Sequence, residues 1–327
     1  MNTWLMLIRR EFWEHRSLWI APLVWVGILT VLFAWFVFFK IENLVDDSAR
    51  AFMDTPSVAE LQSQMSEQDR EELQRALEVA KDDRAQTPMA VGYFGISGLV
   101  SGFACIVVFF YLLDCLFAER RDRSILFWKS LPVSDAQVVI CKLAVALVVV
   151  PFGAVVLSAV LQLVVLAIWS IKWSGTVIGQ LTPDWNFLAW LRAQVVEAGV
   201  TLGGVMWYAP IAAYFLLLSV WVRKLVFLWA VVPLIALPLL EWFFTGEHHV
   251  AEFIGQRFAG YWKELNLDQN VFAVTHGSGM HMPNVHDVYD AIDISGMFTS
   301  LEAWIGIAAA AAMTFLAIRI RRYRDDS

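Results

Sequence analysis

At 327 residues, the chain is 59% hydrophobic and 14% aromatic, carries 16 Trp, and has only 17% charged residues, with a mean hydropathy of +0.59. This balance excludes an ordinary soluble globular domain and matches lipid-facing helices, which need no polar side, with Trp gathered where acyl chains meet headgroups. A net charge of −7 argues against nucleic acid as a partner, and the three cysteines, Cys105, Cys115 and Cys141, fall in or beside apolar segments and predict no structural disulfide.

Residues 1–17 open the chain. Within them Trp4, Leu5, Ile8 and Phe12 recur at helical spacing, with Arg9, Arg10 and Glu14 elsewhere around the wheel. This predicts an interfacial amphipathic helix, either a plain anchor or a moving elbow. The apolar run 18–39 has roughly 22 residues, longer than a signal core of roughly 7 to 15, and no small-residue cleavage site follows it, so it is expected to be a retained first span. Further segments reach the roughly 20 helical residues that a hydrocarbon core requires, at 92–117, 143–169, 195–222, 225–244 and 301–320. In the fifth span Pro233 and Pro238 each remove a helix donor, which predicts a kink, or a bent, partly re-entrant hairpin with the fourth.

Lys and Arg set the expected orientation. Arg9, Arg10 and Arg16 precede the first span, and Arg120, Arg121, Arg123, Lys129 and Lys142 lie in the connection 118–142. Arg223 and Lys224 separate the fourth span from the fifth, and Arg319, Arg321, Arg322 and Arg324 lie at the end of the sixth and in the tail 321–327. These segments share one side, expected to be the cytoplasm. The opposite side receives two long acidic loops, 40–91 and 245–300. In the first, Ser57 to Glu60 is a capping-box pattern and Leu73 and Leu77 lie one turn apart, predicting one or two surface helices. The expected fold is an all-α integral membrane protein with six transmembrane helices, N-in and C-in.

Intramembrane carboxylates are functional candidates by default. Asp114 and Glu197 are placed here near opposite ends of their helices, and Glu241 near the external face, all within reach of water. Gly98 with Gly102, and Gly199 with Gly203, permit close helix approach, with packing inside one subunit as the expected use. His248, His249, His276, His281 and His286 crowd the last external loop beside Asp287 and Asp290. Imidazole suits Zn or Cu, yet the spacings match no ligand signature, and Glu247-His248-His249 lacks the zinc-protease spacing, so no metal ligand is assigned.

The stretch Glu119 to Asp135 places Ile125, Leu126, Phe127, Trp128 and Leu131 in water-facing sequence bordered by charge, and Pro132 then stops it. An exposed apolar knob of this kind suits a protein partner, and a turn lying on the membrane surface also accommodates it. Ser134 and Asp135 are placed to cap a helix running through Lys142 into the third span.

The order of these features resembles the ABC-2 type permeases, the membrane subunits of one class of ATP-binding-cassette transporter, over most of the chain. The family's loop after the second span has an acidic-basic start, an apolar helix, Leu-Pro-Val-Ser and a Lys opening the third span. Glu119, Arg120, Arg121, Ser124, Ile125, Leu126, Leu131, Pro132, Val133, Ser134 and Lys142 stand in those places. The resemblance implies that 119–135 contains a coupling helix seated in a cleft of an ATPase subunit, through Arg123, Ser124, Ile125, Leu126, Phe127, Trp128, Leu131, Pro132 and Val133. No phosphate-binding Gly-x-x-x-x-Gly-Lys-Ser/Thr loop occurs, so the chain is not expected to be an enzyme, and ATP and Mg belong to a separate ATPase partner. The resemblance further implies a homodimer of permeases in the inner (cytoplasmic) membrane, among lipids, and export as the direction. The long first external loop departs from the shortest family members. A membrane-bound metal-handling protein or enzyme built on the His-rich loop is the second reading, and a structural anchor the third.

Overall fold

The computed structural model describes residues 3–40, 66–81, 87–122, 133–174, 185–265, 292 and 294–323. Among the described residues every regular element is helical. Helix α1 (Thr3–Glu14) leads into α2 (Ser17–Trp35), which ends in a π-helical turn at Phe36–Lys40. Next come α3 (Glu67–Lys81), α4 (Thr87–Asp114) and the short α5 (Phe117–Arg121). Helix α6 (Asp135–Ala144) passes through a π turn at Val145–Val149 into α7 (Val150–Trp173). Pro151, in the first turn of α7, accounts for that bulge: it has no N–H to give the carbonyl one turn back, and the ladder widens to compensate. The chain ends with α8 (Phe187–Trp221), α9 (Val226–Thr245), α10 (His249–Glu264), α11 (Ile294–Thr299) and α12 (Leu301–Tyr323).

Among the described residues six stretches are long and apolar enough to cross a membrane: Ser17–Lys40, Gly92–Arg121, Asp135–Trp173, Phe187–Trp221, Val226–Thr245 and Leu301–Tyr323, here spans 1 to 6. The chain is a multi-pass membrane protein. Two spans begin earlier than hydropathy alone places them, and in both a cap sets the start. Ser134 Oγ accepts from the Gln137 amide at 3.2 Å while Gln137 Oε1 accepts from the Ser134 amide at 3.0 Å, a complete capping box that starts the third span at Asp135. Asn186 Oδ1 accepts from the amides of Leu188 and Ala189 at 2.9 and 3.4 Å, so the fourth helix starts at Phe187. Helix α9 runs unbroken through Pro233 and Pro238 from Val226 to Thr245, close to the expected bounds of the fifth span.

The sharp reversal is instead the turn before α9, where Leu225 takes a left-handed conformation with φ 56°. Arg120 braces this turn, donating from Nη2 to the carbonyls of Ser219 at 2.7 Å and Val222 at 2.8 Å. Ser219 Oγ in return accepts from the amides of Leu116 and Phe117 at 3.1 and 3.0 Å, where span 2 is interrupted between α4 and α5. The end of span 2 is thereby fastened to the end of span 4.

The main core joins spans 2, 3, 4 and 6, with Leu112, Leu116, Val139, Val145, Leu216 and Ala317 fully buried. Spans 4 and 6 form the most extensive helix pair. Ala303, Ala310 and Ala317, at heptad spacing on one face of α12, are buried and let the two backbones approach. Spans 1 and 5 are the least buried and turn large apolar side chains outward.

On the side away from α1, α10 lies over spans 4 and 6. Trp207 of α8 is fully buried and donates its Nε1 hydrogen to the Arg257 carbonyl at 2.9 Å, while the Arg257 guanidinium stands 4.6 Å over the Trp207 ring. Tyr261 donates to the Val200 carbonyl, and burial pushes its phenol well up from its ordinary range. Glu241 Oε2 accepts from the Val250 amide at 2.7 Å, so this acid caps the first turn of α10.

The small-residue pairs divide. Gly199 is in close contact with Ile294, whose Cδ1 lies 2.6 Å from where a Cβ would stand. Gly98 and Gly102 face open space, contrary to the expectation that they pack within the subunit.

Candidate functional site: a buried ionic hub and an intramembrane polar cluster

The amphipathic helix α1 does not merely lie on a surface. Leu7 and Glu11, one turn apart on one face, are both buried, and Glu11 meets a lysine that is buried completely. Lys142 Nζ donates to Glu11 Oε1 at 2.9 Å and to Oε2 at 2.8 Å, and lies 3.1 Å from Glu119 Oε1. Tyr111 of span 2 adds a third hydrogen bond, its hydroxyl donating to Glu11 Oε2 at 2.8 Å. Glu119 Oε1 also accepts from Arg10 Nη2 at 2.7 Å, and its Oε2 accepts from Arg321 Nη1 at 2.6 Å. Arg321 uses its remaining Nε–H on Asp135 Oδ1 at 3.0 Å. Side-chain exposure is 0% for Lys142, 2% for Glu11, 4% for Glu119 and 3% for Arg321.

These are desolvated charges, and each is tolerable only because the others surround it. The hub ties α1, the end of span 2, the start of span 3 and the end of span 6 into one unit. Arg321 binds Glu119 and Asp135 together, the two residues that bound the connection between spans 2 and 3.

His15 stacks edge-on against Tyr111 with ring centroids 5.0 Å apart. Burial, and then the nearby Lys142 ammonium, push its imidazole below the ordinary range. Glu11, Glu14 and His15 each present one ligand atom within 4.8 Å of the others. Their carboxylates are already engaged, Glu11 by Lys142 and Glu14 by Arg10 at 2.9 Å. Of the histidines in the last loop, His248 and His249 are exposed, with His249 Nε2 3.1 Å from Glu247. His276, His281 and His286 lie outside the described residues.

The segment that the sequence singled out, Arg123 to Pro132, also lies outside the described residues. Of its proposed contact set only Val133 is described, packed against the core beside the hub. Its flanks are what the structure places: Arg120 on span 4, Glu119 and Asp135 on Arg321, and Lys142 at the centre. Sequence reasoning found Lys142 and Glu119 as motif positions and missed that they meet Glu11 and Arg321.

A second polar cluster lies inside the membrane-spanning region. Glu197 sits ten residues beyond Phe187, the start of span 4, which corrects its placement near a helix end. Over that distance an α-helix rises about 15 Å. Its exposure is 7%; its Oε2 lies 2.6 Å from Ser97 Oγ of span 2 and its Oε1 2.8 Å from Ser158 Oγ of span 3. Gln162, fully buried, donates from Nε2 to Ser97 Oγ at 3.0 Å and to the Tyr93 carbonyl at 3.2 Å. Its Oε1 accepts from Trp190 Nε1 at 3.0 Å and Gln194 Nε2 at 2.8 Å. No family model, curated protein or solved structure matches the chain.

Proposed function

We propose that this chain is the membrane-spanning permease subunit of an ATP-driven transporter, working as a dimer with a separate ATPase partner and moving substrate outward. The observation that carries the proposal is the Arg321 clamp. One guanidinium holds both ends of the segment 119–135 and ties them to α1, span 3 and span 6 through Glu119 and Lys142. A partner that seats the apolar residues Leu126, Phe127 and Trp128 and then moves them pulls on both ends of the segment at once. A buried, low-dielectric ionic hub passes that displacement on because its charges separate only at high cost. The resemblance of residues 119–135 and Lys142 to the family's coupling loop supports the same reading.

The test uses the tagged full chain purified from membranes. An ATPase subunit is expected to co-purify with the wild type, and Phe127→Ala with Trp128→Ala is expected to release it or to uncouple its hydrolysis from transport, with insertion retained. Absence of any co-purifying ATPase, or wild-type binding and coupling in the double variant, overturns the proposal.

The orientation belongs to this reading: the α1 face is cytoplasmic, in the inner membrane. With cysteines introduced into a cysteine-free background, Ser57 and Ser278 should label from outside intact cells, and Ser130 and Ser327 should not. Labelling at Ser130 rules this orientation out.

A further inference from the structure

The cluster around Glu197 stands apart from the hub and is not required by the transporter reading. Its hydrogens can be counted. Ser97 Oγ accepts from Gln162 Nε2, so its single hydrogen goes to Glu197 Oε2, 2.6 Å away. Ser158 Oγ also has one hydrogen, and two acceptors stand 2.8 Å from it, the Val155 carbonyl and Glu197 Oε1. A carbonyl oxygen cannot donate. Both contacts become full hydrogen bonds only when Glu197 Oε1 itself carries a hydrogen and gives it to Ser158 Oγ, whose own hydrogen then goes to Val155.

The surroundings agree with a neutral acid. The carboxyl is in contact with Ser97 of span 2 and Ser158 of span 3; one hydrogen bond further out stand Gln162 on Ser97, the Tyr93 carbonyl on Gln162, and the Val155 carbonyl on Ser158. From its own helix, Trp190 and Gln194 hold Gln162. Tyr93 is the other titratable residue in this group. Among the described residues no Lys, Arg or His pairs with Glu197. Arg192 shares the helix, but five positions away it stands on another face. A bare carboxylate here would be a buried charge without a counter-ion.

We propose that Glu197 is an intramembrane proton-binding site, and that the bound proton completes the hydrogen-bond chain joining spans 2, 3 and 4. Proton release leaves one serine hydrogen to serve two acceptors and a charge that draws in water or a cation. Spans 2, 3 and 4 then separate at this level, so the proton acts as a latch.

Infrared spectroscopy of the full chain in lipid bilayers near neutral pH tests the site. The carbonyl stretch of a protonated carboxylic acid is expected in the wild type and is expected to be lost in Glu197→Gln. The Gln amide accepts from Ser97 and donates to Ser158 as the acid does, so the fold is retained. Ser158→Ala removes the acceptor of that hydrogen and is expected to shift the band, so the assignment does not depend on one variant. A second readout is thermal unfolding. The wild-type midpoint should fall relative to that of Glu197→Gln as pH rises from the ordinary carboxyl range, because a group that keeps its proton in the fold binds more protons there than in the unfolded chain. Absence of a protonated-carboxyl band at neutral pH, a band unchanged in Glu197→Gln, or parallel pH profiles for the two proteins would each overturn the proposal.

Discussion

Lys142 and Glu11, 131 positions apart in the chain, form a two-point contact in which the ammonium reaches both carboxylate oxygens, at 2.9 and 2.8 Å. Both side chains are almost wholly withdrawn from water, so neither partner can be deleted cheaply. Lys142→Met should leave Glu11 and Glu119 without their central cation and cost about 3–5 kcal/mol. Glu11→Gln combined with Lys142→Met should lose clearly less than the two single losses added together, as measured by denaturant unfolding in detergent. Simple additivity would show that the two residues are not coupled.

Arg321 reaches Glu119 through Nη1 and Asp135 through Nε, a forked geometry that lysine lacks. Arg321→Lys conserves charge and should still lose one of the two contacts, costing about 1.5–3 kcal/mol. Limited proteolysis reports it directly, since one end of the 119–135 segment is then untied and cleavage there should accelerate. Cleavage at the wild-type rate would mean that the clamp does not restrain the segment.

A Cβ on Gly306 would stand 1.8 Å from Nη2 of Arg257, so Gly306→Ala has to move the guanidinium off the Trp207 ring. The expected loss is about 0.5–2 kcal/mol, the range for a cation–π contact between exposed and desolvated. In an Arg257→Ala background the same glycine substitution should cost almost nothing. An equal cost in both backgrounds would place the conflict elsewhere.

His15 carries the pH dependence of the α1 contact. Its imidazole is held below the ordinary value by burial and then by Lys142. The unfolded chain therefore takes up a proton first as the pH falls through about 6.5. Stability contributed by the neutral ring is complete above that value and is lost on acidification. Protease access to α1 should rise between neutral and mildly acid pH in the wild type and stay level in His15→Phe. Identical profiles would remove His15 from the account.

Hydropathy located all six spans, because lipid selects for apolar length and little else. The cap at Ser134 was legible beside it, since Ser134 and Asp135 are placed by sequence to begin the helix that runs through Lys142 into the third span; the start that went unread is the one at Asn186, where a polar cap rather than apolar content begins the helix. The late start assigned to span 4 is also why Glu197 looked close to water. Glu11 left a faint signal, an acid one turn after Leu7 on the apolar side of α1, but nothing local names a partner 131 positions away. Helix α9 carries Pro233 and Pro238 without a break, and the chain reverses before it at Leu225, a residue whose type gives no warning of a left-handed turn.

The hub draws on residues far apart in the chain, Arg10 and Glu11 on α1 and Arg321 on α12. During synthesis, Glu119 and Asp135 are made long before the arginine that joins them exists. A nascent chain stalled before α12 therefore holds an incomplete set of charges where the folded bundle holds a balanced one. Arrival of α12 is itself an assembly step, and a chain truncated before Arg321 should be degraded faster than one that carries it.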